Sequence, residues 1–68
     1  MKLLILDTCR RVTKNGKSYV QAAFRSTNKA GQDWLGIATV PDDLADFVGE
    51  VDRQVVFGGN GSIFVLPY

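Results

Sequence analysis

Histidine is absent from this chain, and cysteine occurs once, at position 9. Without histidine or a second cysteine, no structural zinc set and no internal disulfide framework can form. The same absence removes the Ser–His and Cys–His pairs on which much nucleophilic catalysis depends. Cys9 has Arg10 and Arg11 beside it to favour a thiolate but no base to activate it, so it is expected as a small buried strand residue. The longest apolar run near the start, Leu3 to Leu6, is far too short to span a bilayer or act as a signal peptide, and the chain reads as soluble and cytoplasmic. Asp42 and Asp43 are adjacent and would diverge by about 100° on a helix, so they make no shared-proton dyad. With Asp46 they match no calcium-loop spacing. Gly58-Gly59-Asn60-Gly61 is followed by neither a helix nor a Lys-Ser or Lys-Thr pair, which makes it a hairpin turn and not a phosphate loop. No enzyme activity, metal or cofactor is expected.

What is present fits one small folded domain over residues 1–68. The 68 residues are 46% hydrophobic and 22% charged, unlike the composition of a disordered chain. A domain of this size buries only about 60% of the surface its unfolded chain exposes. Its core is thin, and with no staple to support it a homodimer is expected. The net charge of +1 hides a strong asymmetry. Residues 1–32 carry Lys2, Arg10, Arg11, Lys14, Lys17, Arg25 and Lys29 against Asp7 alone; residues 33–68 carry Arg53 against six carboxylates. Screening limits a charge's reach to roughly 10 Å, so a near-neutral protein can still present a basic face.

The hydrophobic pattern is mostly of period two. Leu3–Leu6 opens a strand that continues toward Val12. Asn15-Gly16 then signals a hairpin, with a type I′ turn as the expected geometry. Lys17 to Thr27 alternates: Ser18, Val20, Ala22, Phe24 and Ser26 share one face, and Lys17, Tyr19, Gln21, Ala23, Arg25 and Thr27 the other. Val20 and Phe24 suit a core, which turns Tyr19 and Arg25 outward. After the polar turn 28–32, Asp33–Val40 is a third strand, with Leu35 and Ile37 on one face and Trp34, Gly36 and Ala38 on the other. Pro41-Asp42-Asp43 resembles a helix start, and Leu44, Phe47 and Val48 recur at helical spacing before Gly49, which predicts about two turns of helix. Val51–Phe57 and Ser62–Pro67 read as strands four and five.

An all-β chain of five strands with one short helix between strands 3 and 4 has the element order of the OB-fold, a small barrel. An SH3-like barrel has a similar strand count, but residues 42–48 exceed the single helical turn usual there. The OB-fold binds its ligands on the face of strands two and three and on flanking loops. Arg10, Arg11, Lys14, Lys17, Arg25 and Lys29 are therefore candidate phosphate contacts, with Tyr19 and Trp34 as candidate stacking rings. A basic groove with aromatic rings is the arrangement that holds single-stranded nucleic acid. Phe24, Phe47, Phe57 and Phe64 are assigned mainly to packing.

Two stretches resemble the small single-stranded-DNA-binding proteins of filamentous phages, which are dimeric OB-fold proteins that coat the replicating strand. Lys14-Asn15-Gly16-Lys17-Ser18-Tyr19 is similar to the family's basic hairpin. Val55-Val56-Phe57-Gly58-Gly59-Asn60-Gly61-Ser62-Ile63-Phe64-Val65 is similar to its last hairpin, with Leu66-Pro67 following. Ser18 stands where the family often has proline, and Asn60 stands where an intercalating aromatic is expected. The resemblance implies backbone-contact roles for Lys14 and Lys17, a stacking role for Tyr19, and a host-cell cytoplasmic setting. The expected function is sequence-tolerant binding of single-stranded DNA, or RNA, by a homodimer. The alternative is a small interaction module or inhibitor whose basic half docks on an acidic protein.

Overall fold

The computed structural model describes residues 1–68 and is nearly all β. Strands β1 (Lys2–Val12), β2 (Ser18–Thr27) and β3 (Asp33–Val40) form an antiparallel meander, followed by β4 (Gly49–Asp52), β5 (Val55–Phe57) and β6 (Ile63–Val65). They make one curled sheet in the order β4-β1-β2-β3-β6-β5. β3 and β6 run parallel, meeting at Thr39 and Phe64. No helix is long and apolar enough to cross a membrane.

The two ends of that order, β4 and β5, are separated in sequence only by Arg53 and Gln54. The backbone bonds there bridge the gap: Arg53 N–H donates to the Met1 carbonyl, Gln54 N–H to the Tyr68 carbonyl, and Leu66 N–H to the Gln54 carbonyl. The continuous run expected over Val51–Phe57 is thus two strands. Its first part pairs with β1 and its last part with β6, and the chain breaks regular pairing where it changes neighbour.

Alternation determines the core. Leu3 and Ile5 of β1, Val20, Ala22 and Phe24 of β2, and Ala38 and Val40 of β3 all point to the inner face and are buried with Leu44 and Val65. Ser26 is the one buried polar residue, and its hydroxyl donates to the Lys2 carbonyl at 2.9 Å. That bond offsets the desolvation of the hydroxyl. A β-bulge between Ile5 and Asp7 bends β1. Beyond it the strand leaves the core, and Cys9–Ser18 is exposed throughout. Cys9 is therefore a surface residue, correcting the expectation of a buried one.

All three hairpins close alike. Gly16, Gly31 and Gly61 have φ of 80°, 81° and 86°, and each donates its N–H three residues back, to Thr13, Asn28 and Gly58. This is the three-residue loop ending in a left-handed glycine, not the two-residue type I′ turn expected at Asn15-Gly16. The predicted helix over 42–48 is also replaced, by a single 3₁₀ turn at Asp42–Leu44. Seven residues are too few to hold a helix without tertiary support. Leu44 is instead buried as one anchor, Ala45 is extended, and the Asp46 N–H is taken by the Thr8 hydroxyl at 3.0 Å, with Asp46 at φ 61°.

Candidate nucleic-acid interface

The pairing register dictates which side chains share the outer face. Arg11 stands opposite Tyr19, Cys9 opposite Gln21, Asp7 opposite Ala23 and Leu4 opposite Arg25. Across β2 and β3, Gln21 meets Thr39, Ala23 meets Ile37, and Arg25 meets Leu35. Thr39 in turn meets Phe64 of β6. A shallow depression of about 530 Å³ opens on this face at the turn end of the β1–β2 hairpin. Its walls are Thr13, Lys17 and Ser18 from that hairpin, Tyr19 and Gln21 from β2, Thr39 from β3, and Ser62 and Phe64 from the last hairpin.

Tyr19 is half-buried there, on the face opposite Val20 and Phe24 as its alternation requires. Phe64 is 43% exposed and Phe57 60% exposed. Both are surface rings, contrary to their assignment to packing. The signal for Phe64 lay in its alternation with buried Val65, but a three-residue strand is too short for periodicity to fix its facing. Gln21, Thr39 and Ser62 were likewise not singled out. They bring amide and hydroxyl groups to the floor of the depression.

The eight residues expected at the site do not converge on one point. Arg11, Lys17 and Tyr19 share the hairpin end of the face, and Lys14 lies at the hairpin tip. Arg25 is six residues along β2, about 20 Å away at strand spacing, and Lys29 lies beyond it in the β2–β3 turn. Arg10 is on the other face of β1. It donates to the Ser18 hydroxyl at 3.4 Å and lies 3.7 Å from the Asp42 carboxylate. Both partners are exposed, so this ion pair is weak and can be broken by a competing anion. Trp34 also points away from Tyr19. It packs against the core with its ring edge-on to Phe24, the centroids 5.2 Å apart and the planes at 79°. Gly36 makes room for the pair, since a Cβ there would lie 2.8 Å from the Phe24 ring and 3.0 Å from Trp34. The tryptophan is the inner wall's closing ring.

The acidic half of the chain reaches this face at its far end, where Glu50 lies opposite Leu4 beside Arg25 and Asp33 lies opposite Thr27. The Asp43 carboxylate takes a 2.6 Å hydrogen bond from Arg53, which ties the 3₁₀ turn to the β4–β5 junction. That hydrogen bond, with the guanidinium's charge, holds the Asp43 carboxyl below its ordinary range. Asp7 is the one carboxylate on the outer face of β1 and β2, opposite Ala23. No protein-family model matches this chain, and no curated protein or solved structure matches it at a significant level.

Proposed function

We propose that this chain binds single-stranded nucleic acid, DNA foremost, without strong sequence preference, as an OB-fold-like homodimer and not as an enzyme. The observation that carries the reading is the depression in which Tyr19 and Phe64 flank Gln21 and Thr39, with Lys17 at its edge. It has the parts such a site needs: rings for base faces, a cation for phosphate, and amides and hydroxyls for base edges or sugars. Its location adds support. Joining β4 and β5 across Arg53–Gln54 gives five strands in the cyclic order of the OB-fold. The depression then lies where that fold takes oligonucleotides, between the first hairpin, the β2–β3 face and the last hairpin.

Arg11 and Lys14 extend the positive charge along the hairpin, and Arg25 extends it toward the far end of β2. A strand of nucleic acid crossing from the hairpin end would meet the rings first and Arg25 last. The site size per protomer is expected at the low end of the about 4–16 nucleotides that OB folds occupy, because β2 alone spans the platform.

The test is a fluorescence titration of the protein with an unstructured oligonucleotide at several salt concentrations. Log K is expected to fall against log salt with a slope between roughly −2 and −3, from about −0.7 per phosphate and three or four contacts. Binding that ignores salt would eliminate the phosphate contacts. Binding to an acidic protein but to no oligonucleotide would eliminate the whole reading in favour of an interaction module.

A further inference from the structure

We infer that the open edge of β3 is the surface through which two copies of this chain pair, antiparallel and about a twofold axis at Gly36. The inference rests on the homodimer reading above and names its interface. β3 is paired with β2 over its whole length, from Asp33 to Val40. On its other side only Thr39 is bridged, to Phe64. The edge from Asp33 to Ala38 therefore presents backbone donors and acceptors with no strand beside them. The chemistry such an edge accepts is another extended strand.

β1 also has an open stretch, longer than the outer sides of the short strands β4 and β5, and comparing it with β3 shows which of the two is built to pair. β4 covers β1 only from Lys2 to Ile5, leaving Leu6–Val12 open. That segment carries Asp7, Arg10, Arg11 and the β-bulge, which are devices that discourage strand addition. The β3 segment Trp34–Val40 has no charge, no proline and no bulge. It also exposes Leu35 at 72% and Ile37 at 59%.

A second copy fits this edge better than an unrelated strand because β3 is complementary to itself. With Gly36 on the axis, Leu35 lies opposite the partner's Ile37 on the outer face, and Ile37 opposite the partner's Leu35. Pairing in this register runs from Trp34 to Ala38 and stops short of Thr39, whose outer edge Phe64 occupies, so Asp33 stays outside it and no carboxylates collide. The turn before β3 carries Lys29, and the turn after it carries Asp42, whose side chain is 82% exposed. Antiparallel pairing runs one end beside the other and brings unlike charges together; parallel pairing would bring like charges together. The two Tyr19–Phe64 depressions would then lie in one continuous sheet, on opposite sides of the axis.

The experiment is sedimentation velocity on the full chain at micromolar concentration, with Leu35→Glu and Leu35→Lys variants. The wild type is expected to be dimeric and both variants monomeric, with an unchanged far-ultraviolet circular dichroism spectrum and a cooperative thermal transition as the controls for folding. Opposite charges giving the same loss identifies edge blocking and not a change of net charge. Should either variant unfold, a Leu35→Cys/Ile37→Cys chain in a Cys9→Ser background supplies the reading. Facing residues about 4.5–5.5 Å apart at Cα are within disulfide reach, so oxidation is expected to give a covalent dimer. A monomeric wild type, dimers that persist in both folded Leu35 variants, or oxidation without cross-linking would overturn the interface.

Oligonucleotide binding separates this inference from the reading beneath it. Monomeric Leu35→Lys, which adds no negative charge beside Arg25, is expected to bind a short oligonucleotide no more weakly than the wild type and to lose about 100-fold or more on a long one, which both sites can engage. A dimer that Leu35 substitution dissociates, with no form of the protein binding any oligonucleotide, upholds the interface while removing the nucleic-acid function.

Discussion

Tyr19 stands between Arg11 on one strand and the Lys17 end of its own, and its ring shares a wall with Phe64. Because Val20 and Phe24 occupy the opposite face, replacing Tyr19 by alanine leaves the core intact. Loss of one stacked base predicts oligonucleotide binding weaker by about 1–3 kcal/mol, while Tyr19→Phe, which keeps the π-face, costs little. Phe64→Ala is expected to weaken binding over the same range. A folded Tyr19→Ala protein with unchanged affinity would remove the stacking role. Gly36 makes the opposite prediction, on stability and not on binding. A methyl group there meets the Phe24 and Trp34 rings at 2.8–3.0 Å, and overpacking of this kind costs about 1–3 kcal/mol. Gly36→Ala is therefore expected to lower the melting temperature and to change Trp34 emission, since the edge-on ring pair must shift to admit the methyl.

Among the elements, the β1–β2 hairpin and the 3₁₀ turn respond to different variables. The hairpin is exposed from Cys9 to Ser18 and carries Arg10, Arg11, Lys14 and Lys17, so its contribution is electrostatic. Lys17→Ala is expected to make the salt dependence shallower by about 0.7 in slope while leaving stacking untouched. The 3₁₀ turn is held to the β4–β5 junction by Asp43 and Arg53. The Asp43 carboxyl titrates lower in the folded chain than in the unfolded one, through its hydrogen bond to Arg53. Its contribution to stability is complete above the unfolded value of about 3.9 and is lost as pH falls through the folded value below that. Arg53→Gln is expected to flatten the acid limb of a pH–stability curve, measured by denaturant unfolding below about pH 4. An unchanged acid limb would mean that the pair holds the turn in place without contributing to stability.

For the whole molecule, the separation of charge in sequence becomes a partial separation in space, with the two halves meeting at Arg10 and Asp42 and at Glu50 beside Arg25. The cation-rich half contributes the β1–β2 hairpin and the outer face of β2; the acidic half contributes the 3₁₀ turn and β4. The exposed hairpin meets the acidic half through the surface pair of Arg10 with Asp42, 3.7 Å apart, while Arg11, Lys14 and Lys17 make no ion pair. At a screening length of roughly 10 Å, a strand of nucleic acid at the hairpin would feel the cations and little of the acidic side. Added salt is therefore expected to weaken binding monotonically, with no low-salt repulsion; an affinity that rose with salt would contradict this layout.

The alternation of β2 was legible in the sequence, because ten residues of period two have only one core-facing assignment that buries Val20 and Phe24. That alone placed Tyr19 and Arg25 outside. The all-β class, the three meander strands and the charge asymmetry were legible for the same reason: each follows from local pattern. The facing of β3 was not, because both of its faces are apolar. Leu35 and Ile37 compete with Trp34 and Ala38, and the contact of Trp34 with Phe24 across Gly36 decides between them. The residues 42–48 kept helical spacing, but Thr8 of β1 captures the Asp46 N–H, a bond between residues 38 apart in sequence. The run 51–57 reads as one strand yet must leave β1 for β6 as the sheet curls. Phe64 reached the surface through its pairing with Thr39, which no spacing within its own strand encodes. Local periodicity thus determined which side chains travel together. Long-range pairing, which depends on the closure of the sheet, decided which of two apolar faces is buried and which rings remain at the surface.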